Sequence, residues 1–356
     1  MLSFKPFKNA FGLDFSDLKL RLIQFRKSRG AFKLQCFNEL DVPVGYIVNG
    51  EIKDFDGVQD LIKKLVNHPI EGKVTGNHVI VSLPERRTFI KVIDIPNIPE
   101  EEIYGAVKWE IERHIPVSID EMYLAWQLLK NNNLSKELNK LKIMVAVAPK
   151  IIVDSYTDLL KKCELLPIVM ETESASVTRC LINEKDQPDD AIIIADLGAS
   201  RTSLIIYDSG VIQYTSTLDV SGNGMTNLIE QKLNLTFEQA EKAKIICGFD
   251  EKKGKGVIKN ILNPLIQQLI KKIQESITFY QSHLTVGHKI NTVLLCGGVS
   301  QMKNLNTILQ QNLNLNVQMA NPLVNLNKFK KTEKFTANHH LSFTTAIGLA
   351  LRVFYE

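Results

Sequence analysis

The sequence predicts an α/β protein of two lobes built to one design, with a small α+β unit inserted into the first. Three observations carry that prediction. The first is a phrase that occurs twice, Gly12-Leu13-Asp14-Phe15-Ser16-Asp17-Leu18-Lys19-Leu20-Arg21-Leu22-Ile23 and Ala195-Asp196-Leu197-Gly198-Ala199-Ser200-Arg201-Thr202-Ser203-Leu204-Ile205-Ile206, in register when Asp14 is set on Asp196. Each copy reads as a strand ending in Asp, a short polar turn and a second apolar strand. A repeat at so long an interval points to two facing domains of similar build. The second is the alternation of strand-like and helical periodicity along the chain. The third is a double-glycine turn, Gly297-Gly298, between an apolar run and a further helical segment.

The elements follow in order. Phe11 to Asp14 and Leu18 to Phe25 form a hairpin, Ala31 to Leu40 a third strand, and Phe55 to Val66 a helix through Phe55, Val58, Leu61, Ile62 and Leu65. His78 to Leu83 is a strand that Pro84 ends. The texture changes from about residue 86. Arg87 to Ile95 alternates as an edge strand. Pro99 stands at the first position of a helix whose first turn holds Glu100, Glu101 and Glu102, and Pro116 stops it. Met122 to Lys130 and Lys142 to Ala148 are strands around a polar turn at 131–139, and Ile151 to Cys163 is a helix. Ile168 to Leu181 returns to the first lobe. Ala191 to Ser216 opens the second lobe, and Thr236-Phe237-Glu238-Gln239 reads as a capping box. A long helix starts at Pro264, a strand covers Asn291 to Leu295, and a helix from Met302 follows the glycine turn. The expected boundaries are 1–85 for the core of the first lobe, 86–167 for the insertion and 168–190 for the connecting helix. The second lobe takes 191–325, with a subdomain over about 219–285, and 326–356 packs back on the first lobe.

Composition narrows the function. The chain has 356 residues, 44% hydrophobic and 23% charged, with a net charge of +4. That charge is too small to argue for nucleic acid. No stretch approaches the ~20 apolar residues of a membrane helix, and residues 1–10 hold lysines without the apolar run of a signal peptide. The five cysteines, Cys36, Cys163, Cys180, Cys247 and Cys296, include no CxxC pair and read as reduced buried thiols.

An Asp at a strand end beside a Gly/Ser turn suits a phosphate and a cation. The turn's N–H groups form an anion nest, and the carboxylate holds Mg²⁺ through water. Asp14 and Asp196 are therefore the candidate Mg²⁺ residues. Gly198 lets backbone approach a ligand, and Ser200, Thr202 and Ser203 offer hydroxyls. The bland alternative is an ordinary hairpin. Gly297 and Gly298 would let a flat ring lie on bare backbone ahead of a helix N-terminus. Glu241 and Lys244, at i and i+3, could meet a nucleoside, although such pairs are usually solvated surface contacts. Glu173 could position an attacking water or simply start a helix. The lysines at 328, 330, 331 and 334 read as a solvated loop.

Together these pieces resemble the actin-like ATPase superfamily, whose duplicated fold is ribonuclease H-like. Its order is first phosphate hairpin, connecting helix, second phosphate hairpin and adenosine motif, matched here by Asp14, Glu173, Asp196 and Gly297-Gly298. The position of the insertion resembles FtsA. Within the group the chain is similar to the PilM family of type IV pilus assembly proteins, on Phe11-Gly12-Leu13-Asp14, Glu112-Arg113-His114-Ile115-Pro116, Ile119-Asp120-Glu121-Met122, Ala240-Glu241-Lys242-Ala243-Lys244 and Leu341 to Arg352. The resemblance implies a cytoplasmic scaffold, at most a slow ATPase, peripheral to the inner membrane. It implies ATP and Mg²⁺ between the lobes, with Asp14, Ser16, Asp196, Gly198, Ser200 and Thr202 around the phosphates. Glu241 and Lys244 would meet the nucleoside, with Gly297, Gly298 and Val299 under the base. It also implies a partner, the short N-terminal cytoplasmic tail of an inner-membrane PilN-like protein, held in a groove between the first lobe and the insertion, with assembly ATPases as further partners. Phe15-Ser16-Asp17 departs from the Gly/Ser-rich first hairpin of the family and sets a carboxylate where phosphates would come. The alternatives are a small-molecule kinase of the same superfamily and an FtsA-like filament protein. FtsA carries a linker and an amphipathic helix that this chain, stopping at Tyr355-Glu356, is not expected to have.

Overall fold

The computed structural model describes residues 9–113, 118–129, 140–183, 188–283, 288–330 and 332–354. The arm before residue 9, the polar turn at 131–139 and His114-Ile115-Pro116 lie outside the described residues.

The first lobe opens with the hairpin β1 (Phe11–Phe15) and β2 (Lys19–Ser28), followed by β3 (Ala31–Asp41), a small ribbon of β4 (Ile47–Val48) and β5 (Glu51–Ile52), α1 (Phe55–Asn67), β6 (Glu71–Gly72) and β7 (His78–Leu83). Asp54 caps α1 by accepting from Gly57 N–H at 2.9 Å. Val58, Ile62 and Leu65, spaced for one helical face, are buried. The next stretch holds β8 (Phe89–Pro96), α2 (Glu100–Glu112), β9 (Met122–Leu128), β10 (Lys140–Pro149) and α3 (Lys150–Lys162). Ile103, Val107 and Ile111 on α2 pack on Ile93, Ile95, Ile143 and Val145 of its strands, a separate small core. Pro99 caps α2 from outside rather than standing in its first turn. The chain returns through β11 (Leu166–Thr172) and α4 (Glu173–Leu181).

The second lobe contains β12 (Ala191–Leu197), β13 (Thr202–Asp208), β14 (Val211–Leu218), α5 (Gly222–Leu233), α6 (Phe237–Cys247), α7 (Val257–His283), β15 (Ile290–Cys296), α8 (Leu305–Leu313) and β16 (Asn316–Met319). The capping box at Thr236 and Gln239 is present. The long helix α7 begins seven residues before Pro264, not at it. Ile258 and Leu262 continue the apolar stripe of Ile266, Leu269 and Ile273 into the lobe core. That burial outweighs the hydrogen bond the proline removes. Finally α9 (Ala337–Ser342) and α10 (Thr344–Leu351) close the chain.

The duplication is visible in the sheets. The first runs β11-β7-β1-β2-β3-β6, the second β16-β15-β12-β13-β14-β8-β10-β9. In each, two parallel neighbours flank the first hairpin strand on one side (β11 and β7 beside β1, β16 and β15 beside β12). The hairpin continues antiparallel on the other side. This is the α/β, duplicated actin-like arrangement. The strands of the insertion extend the second sheet, because β8 pairs with β14 at Lys91 and Tyr214. Helices α4 and α10 lie between the lobes. Val177, Ile347 and Ala350 share one core with Ile23 and Phe25 of the first lobe and Ile194 and Ile205 of the second. The contact is close enough that a Cβ on Gly12 would lie 2.5 Å from Ala346 O, and one on Gly348 would lie 1.9 Å from Ser176 O. Helix α10 thus lies against β1 of the first lobe.

Candidate functional site between the lobes

Both hairpin turns and the start of α4 open onto one cleft, a hollow of about 120 Å³ lined by Asp14, Ser16, Glu173, Asp196, Gly198, Ser200 and Arg201, among others. Asp14, one residue before the end of β1, has its side chain buried. Its Oδ1 accepts from Ser82 Oγ at 2.9 Å, and Arg21, opposite on β2, brings Nη1 to 3.7 Å from its Oδ2. Ser16 closes its own turn, accepting from Lys19 N–H at 3.1 Å. The two residues that set this turn apart from the family pattern point elsewhere. Phe15 is buried against Tyr156, ring centroids 4.9 Å apart. The Asp17 carboxylate accepts from Asn49 and Gly50 N–H at 3.1 and 2.8 Å. Its oxygens thus face that neighbouring turn rather than the cleft lining, while its charge still acts on Arg201.

The second hairpin presents more to the ligand side. Asp196 is half-buried, Ala199 exposed and Ser200 half-exposed. Thr202, a candidate phosphate contact by sequence, does not reach the cleft. It is buried and its hydroxyl donates to Val220 O at 2.6 Å. The period of a strand turns its neighbours Arg201 and Ser203 to the cleft instead. Arg201 is buried and ion-paired with Glu173. Its Nε has no partner among the described residues.

Four buried or half-buried carboxylates, Asp14, Glu85, Glu173 and Asp196, surround this arginine. Burial pushes Asp14 and Glu85 up. Burial also raises Asp196, to about 6, with help from Asp14. Burial raises Glu173 to about 8 against the pull of Arg201, helped by Asp14 and Glu85. One oxygen of Glu85 is buried without a hydrogen-bond partner among the described residues, the other accepting from Ser174 N–H at 3.0 Å. The cleft lining sets three carboxylates, Asp14, Glu173 and Asp196, against Lys19, Arg21 and Arg201, and a cation beside the raised acids would favour their charged forms. No group of three His, Cys, Asp or Glu forms a metal set among the described residues. This donor set fits a hydrated Mg²⁺ held from one or two carboxylates better than a protein cage.

A second hollow of about 370 Å³ adjoins the first through Ala199 and Gly298 and is lined by Gly222, Asn223, Glu241, Lys244, Ile245, Val299 and Met302. Gly297 has φ +79°, and a Cβ there would lie 2.5 Å from Asp196 Oδ1, so glycine is required. Gly298 leaves open space over its Cα. The residues after it form a 3₁₀ turn, Gly298–Gln301, and α8 starts only at Leu305. The glycines are thus not at the N-terminus of an α-helix. Lys244 is not a solvated surface residue. It is buried, with Nζ 2.9 Å from Gly222 O, 2.8 Å from Thr226 Oγ1 and 2.7 Å from Glu241 Oε2. Three acceptors fill its three donors. Lys244 therefore pins α5 to α6, while Glu241 keeps its other oxygen beside the hollow.

A third cavity, an apolar groove of about 360 Å³, lies between the first lobe and the insertion. It is lined by Tyr123, Ala125 and Gln127 of β9, Met144 and Ala146 of β10, and Met170, Glu171, Thr172 and Ala175 at the β11–α4 junction. Strands β9 and β11 are the outer strands of their sheets. The junction from Glu171 to Ala175 is a common wall. Glu173 faces the cleft, and Glu171, Thr172 and Ala175 face the groove.

The type IV pilus assembly protein PilM family is matched over residues 12–354. The chain belongs to that family. It is similar to a solved PilM-PilN type IV pilus biogenesis complex, at 24% identity and a TM-score of 0.80, covering 98% of this chain and 99% of that one. It is also similar to MreB5 of Spiroplasma citri bound to AMPPNP, at 13% identity and a TM-score of 0.55, covering 97% and 95% of the two chains. Over 190 residues it is 27% identical to the cell division protein FtsA of Buchnera aphidicola subsp. Baizongia pistaciae, 46% of this chain and 44% of that relative. The chain thus spans less than half the length of that curated relative.

In this PilM-family chain the structure brings Asp14, Ser16, Glu173, Asp196, Gly198, Ser200, Gly297 and Gly298 to one cleft and Glu241, Lys244 and Val299 to the adjoining hollow. Sequence reading missed Arg201, Arg21, Lys19 and the C-terminal Leu341, Ser342, Thr344 and Thr345, which also line the cleft. Arg201, one residue before β13, could have been found by counting back in twos from Ser203, which also lines the cleft. Nothing in the sequence signals that α9 and α10 reach the ligand side. Among the described residues no helix is long and apolar enough to cross a membrane.

Proposed function

We propose that this chain is a cytoplasmic scaffold that holds ATP with Mg²⁺ between its lobes. Its apolar groove takes the extended N-terminal tail of an inner-membrane PilN-like protein. The observation that carries the reading is the common wall. One five-residue junction borders both the cleft with its two hairpin carboxylates and the groove with its two outer strands. Asp14 and Asp196 would hold the cation through water, and its bound charge would offset the repulsion between phosphates and carboxylates. The N–H groups of Gly198 to Ser200 would cradle phosphate. Glu241 would accept from the ribose hydroxyls. Gly298 would leave a flat surface for the base. Thr202 and Lys244 support this site from behind. In the groove, a strand edge offers unpaired N–H and C=O groups to an extended peptide, and the apolar lining takes its side chains.

The same geometry supports slow turnover at most. For Glu173 to position an attacking water, its carboxylate must be free to accept from that water. Glu173 is instead engaged by Arg201. Arg201 turning from Glu173 toward a terminal phosphate would release that carboxylate and move the start of α4, and with it one side of the groove. The test is calorimetric titration of the full chain with a synthetic peptide of a PilN-like N-terminal tail. Saturable binding that Ala125→Arg removes is expected. No binding at about 1 mM peptide, weaker than −4 kcal/mol, would overturn the partner.

A further inference from the structure

The sequence reading leaves the lysines near the end of the chain as a solvated loop, and the structure gives them company. Arg26, Lys27, Arg29 and Lys33 surround the β2–β3 turn with no acid among them, and Lys328, Lys330, Lys331 and Lys334 are joined only by Glu333. The two segments carry +4 and +3 against +4 for the whole chain, so the rest of the molecule is net acidic. They meet in space. Phe32 N–H donates to Asn327 O at 3.1 Å, and the Phe25 and Phe329 rings stand edge to face at 5.9 Å. Phe32 also packs on Phe354, centroids 5.1 Å apart. The hairpin tip is thus held in place by buried rings while its cations stay out. Arg26, Lys27, Arg29, Lys33, Lys328, Lys330 and Lys334 are all exposed.

Some exposed cations elsewhere in this lobe find carboxylates, as Lys53 and Arg87 do with Glu51. Among the described residues none of these seven has a carboxylate within ion-pair distance. Lys334 donates to Ile70 O at 3.0 Å, and Lys27 lies over the Phe32 ring at 5.0 Å. Cations gathered on a rigid surface without counter-charges repel one another and create a positive field that an anionic partner relieves. The patch does not serve the nucleotide cleft. The β2–β3 turn lies at the end of the sheet remote from Asp14, which pairs with Arg21 at the other end of β2. It does adjoin the groove, since Arg352 lines the groove and Phe354, two residues on, packs against Phe32.

We infer that this cationic face lies on the anionic surface of a phospholipid bilayer. The choice of bilayer over another polyanion rests on the groove reading above. A groove holding the tail of a membrane protein brings the neighbouring patch to the leaflet from which that tail emerges. Adsorption of this kind is electrostatic. Each basic residue near the surface adds about a fivefold gain in partition, and the gain falls as salt shortens the screening length. No apolar wedge is needed, and the protein sits on the headgroups.

The experiment is flotation of the full chain with vesicles of phosphatidylcholine alone or with about 30% phosphatidylglycerol, at about 0.05 and 0.3 M salt. A variant with Arg26, Lys27, Arg29 and Lys33 all changed to Gln is compared with one in which Lys232, Lys242, Lys252 and Lys271, exposed on the second lobe, are changed to Gln. Thermal melts confirm that both fold. The wild type is expected to float with the anionic vesicles only, and less at high salt. The hairpin variant should lose binding by about tenfold or more, given several lost cations, and the second-lobe variant should keep it. Equal binding to both vesicles, a hairpin variant that floats like the wild type, or binding to transfer RNA without binding to vesicles would each overturn the inference. Peptide titration separates the two readings. Flotation without peptide binding supports the patch and removes the groove's occupant, whereas peptide binding without flotation does the reverse.

Discussion

Asp14 and Asp196 hold the same place in two hairpins of one topology, yet Arg21 stands across the ladder from the first and Ser203 from the second. That single difference runs through the whole site. In the first lobe the carboxylate is buried, held by Ser82 and facing a cation, and the turn beyond it spends Ser16 and Asp17 on closing backbone. In the second lobe the carboxylate is half-buried, and the turn leaves Gly198, Ala199 and Ser200 facing the cleft. Duplicated backbones have thus diverged into an anchored half and a receptive half. In the proposed function the anchored half would fix where the cation sits, and the receptive half would meet phosphate.

The largest test of this contrast is Gly297→Val. The residue has φ +79° and no room beside Asp196. A β-branched side chain costs about 2 kcal/mol or more in that backbone region alone. Nucleotide binding should vanish and the melting temperature should fall. A well-folded variant that binds normally would show that the receptive half does not need this turn. Next in size is Arg201→Gln. Removing one partner of a buried ion pair costs about 3 kcal/mol. The informative readout is coupling. In the wild type, Mg²⁺ and ATP should change peptide affinity several-fold, and in the variant the change should disappear. Unaltered coupling would clear Arg201 of any part in it.

A smaller effect lies in pH. Glu173 and Asp196 bind protons more tightly folded than unfolded, their values being raised from 4.5 to about 8 and from 3.8 to about 6. Their contribution to stability is therefore greatest at low pH and falls as pH rises through that window. Melting curves of the nucleotide-free protein should decline from about pH 5 to 8, and Glu173→Gln should flatten the slope by about 1 kcal/mol. A slope that the variant leaves unchanged would remove Glu173 from the account. The smallest expected effect is Glu241→Gln, which keeps an acceptor for a ribose hydroxyl but loses its charge. A loss of about 1–2 kcal/mol, near tenfold in nucleotide affinity, is expected by titration. Adenine and guanine nucleotides should suffer alike, because this contact reads the sugar.

Much of this was readable from residue order. The twin Asp-turn phrases place both hairpins, and the apolar stripe of Ile103, Val107 and Ile111 places the helix of the insertion. What escaped was set by contacts distant in the chain. Thr202 and Ser203 are both small hydroxyl residues. Which of them faces the cleft depends on which side of β13 the α7 core covers. Lys244 looks like half of a surface pair until α5 supplies Gly222 O as an acceptor. Pro264 marks a helix start by local rule, and the core overrules it. The pairing of β8 with β14 joins strands far apart in sequence through one residue pair and leaves no periodicity to read.

The central claim is that the two hairpins act on one nucleotide from opposite sides, one as anchor and one as receptor. Titration of a fluorescent ATP analogue with Mg²⁺ against the wild type, Asp14→Asn and Asp196→Asn, each with its melting curve, tests it directly. Both variants should lose about tenfold or more in affinity, near 1.4 kcal/mol, with melting curves showing that both stay folded. Wild-type affinity in either variant would contradict the claim.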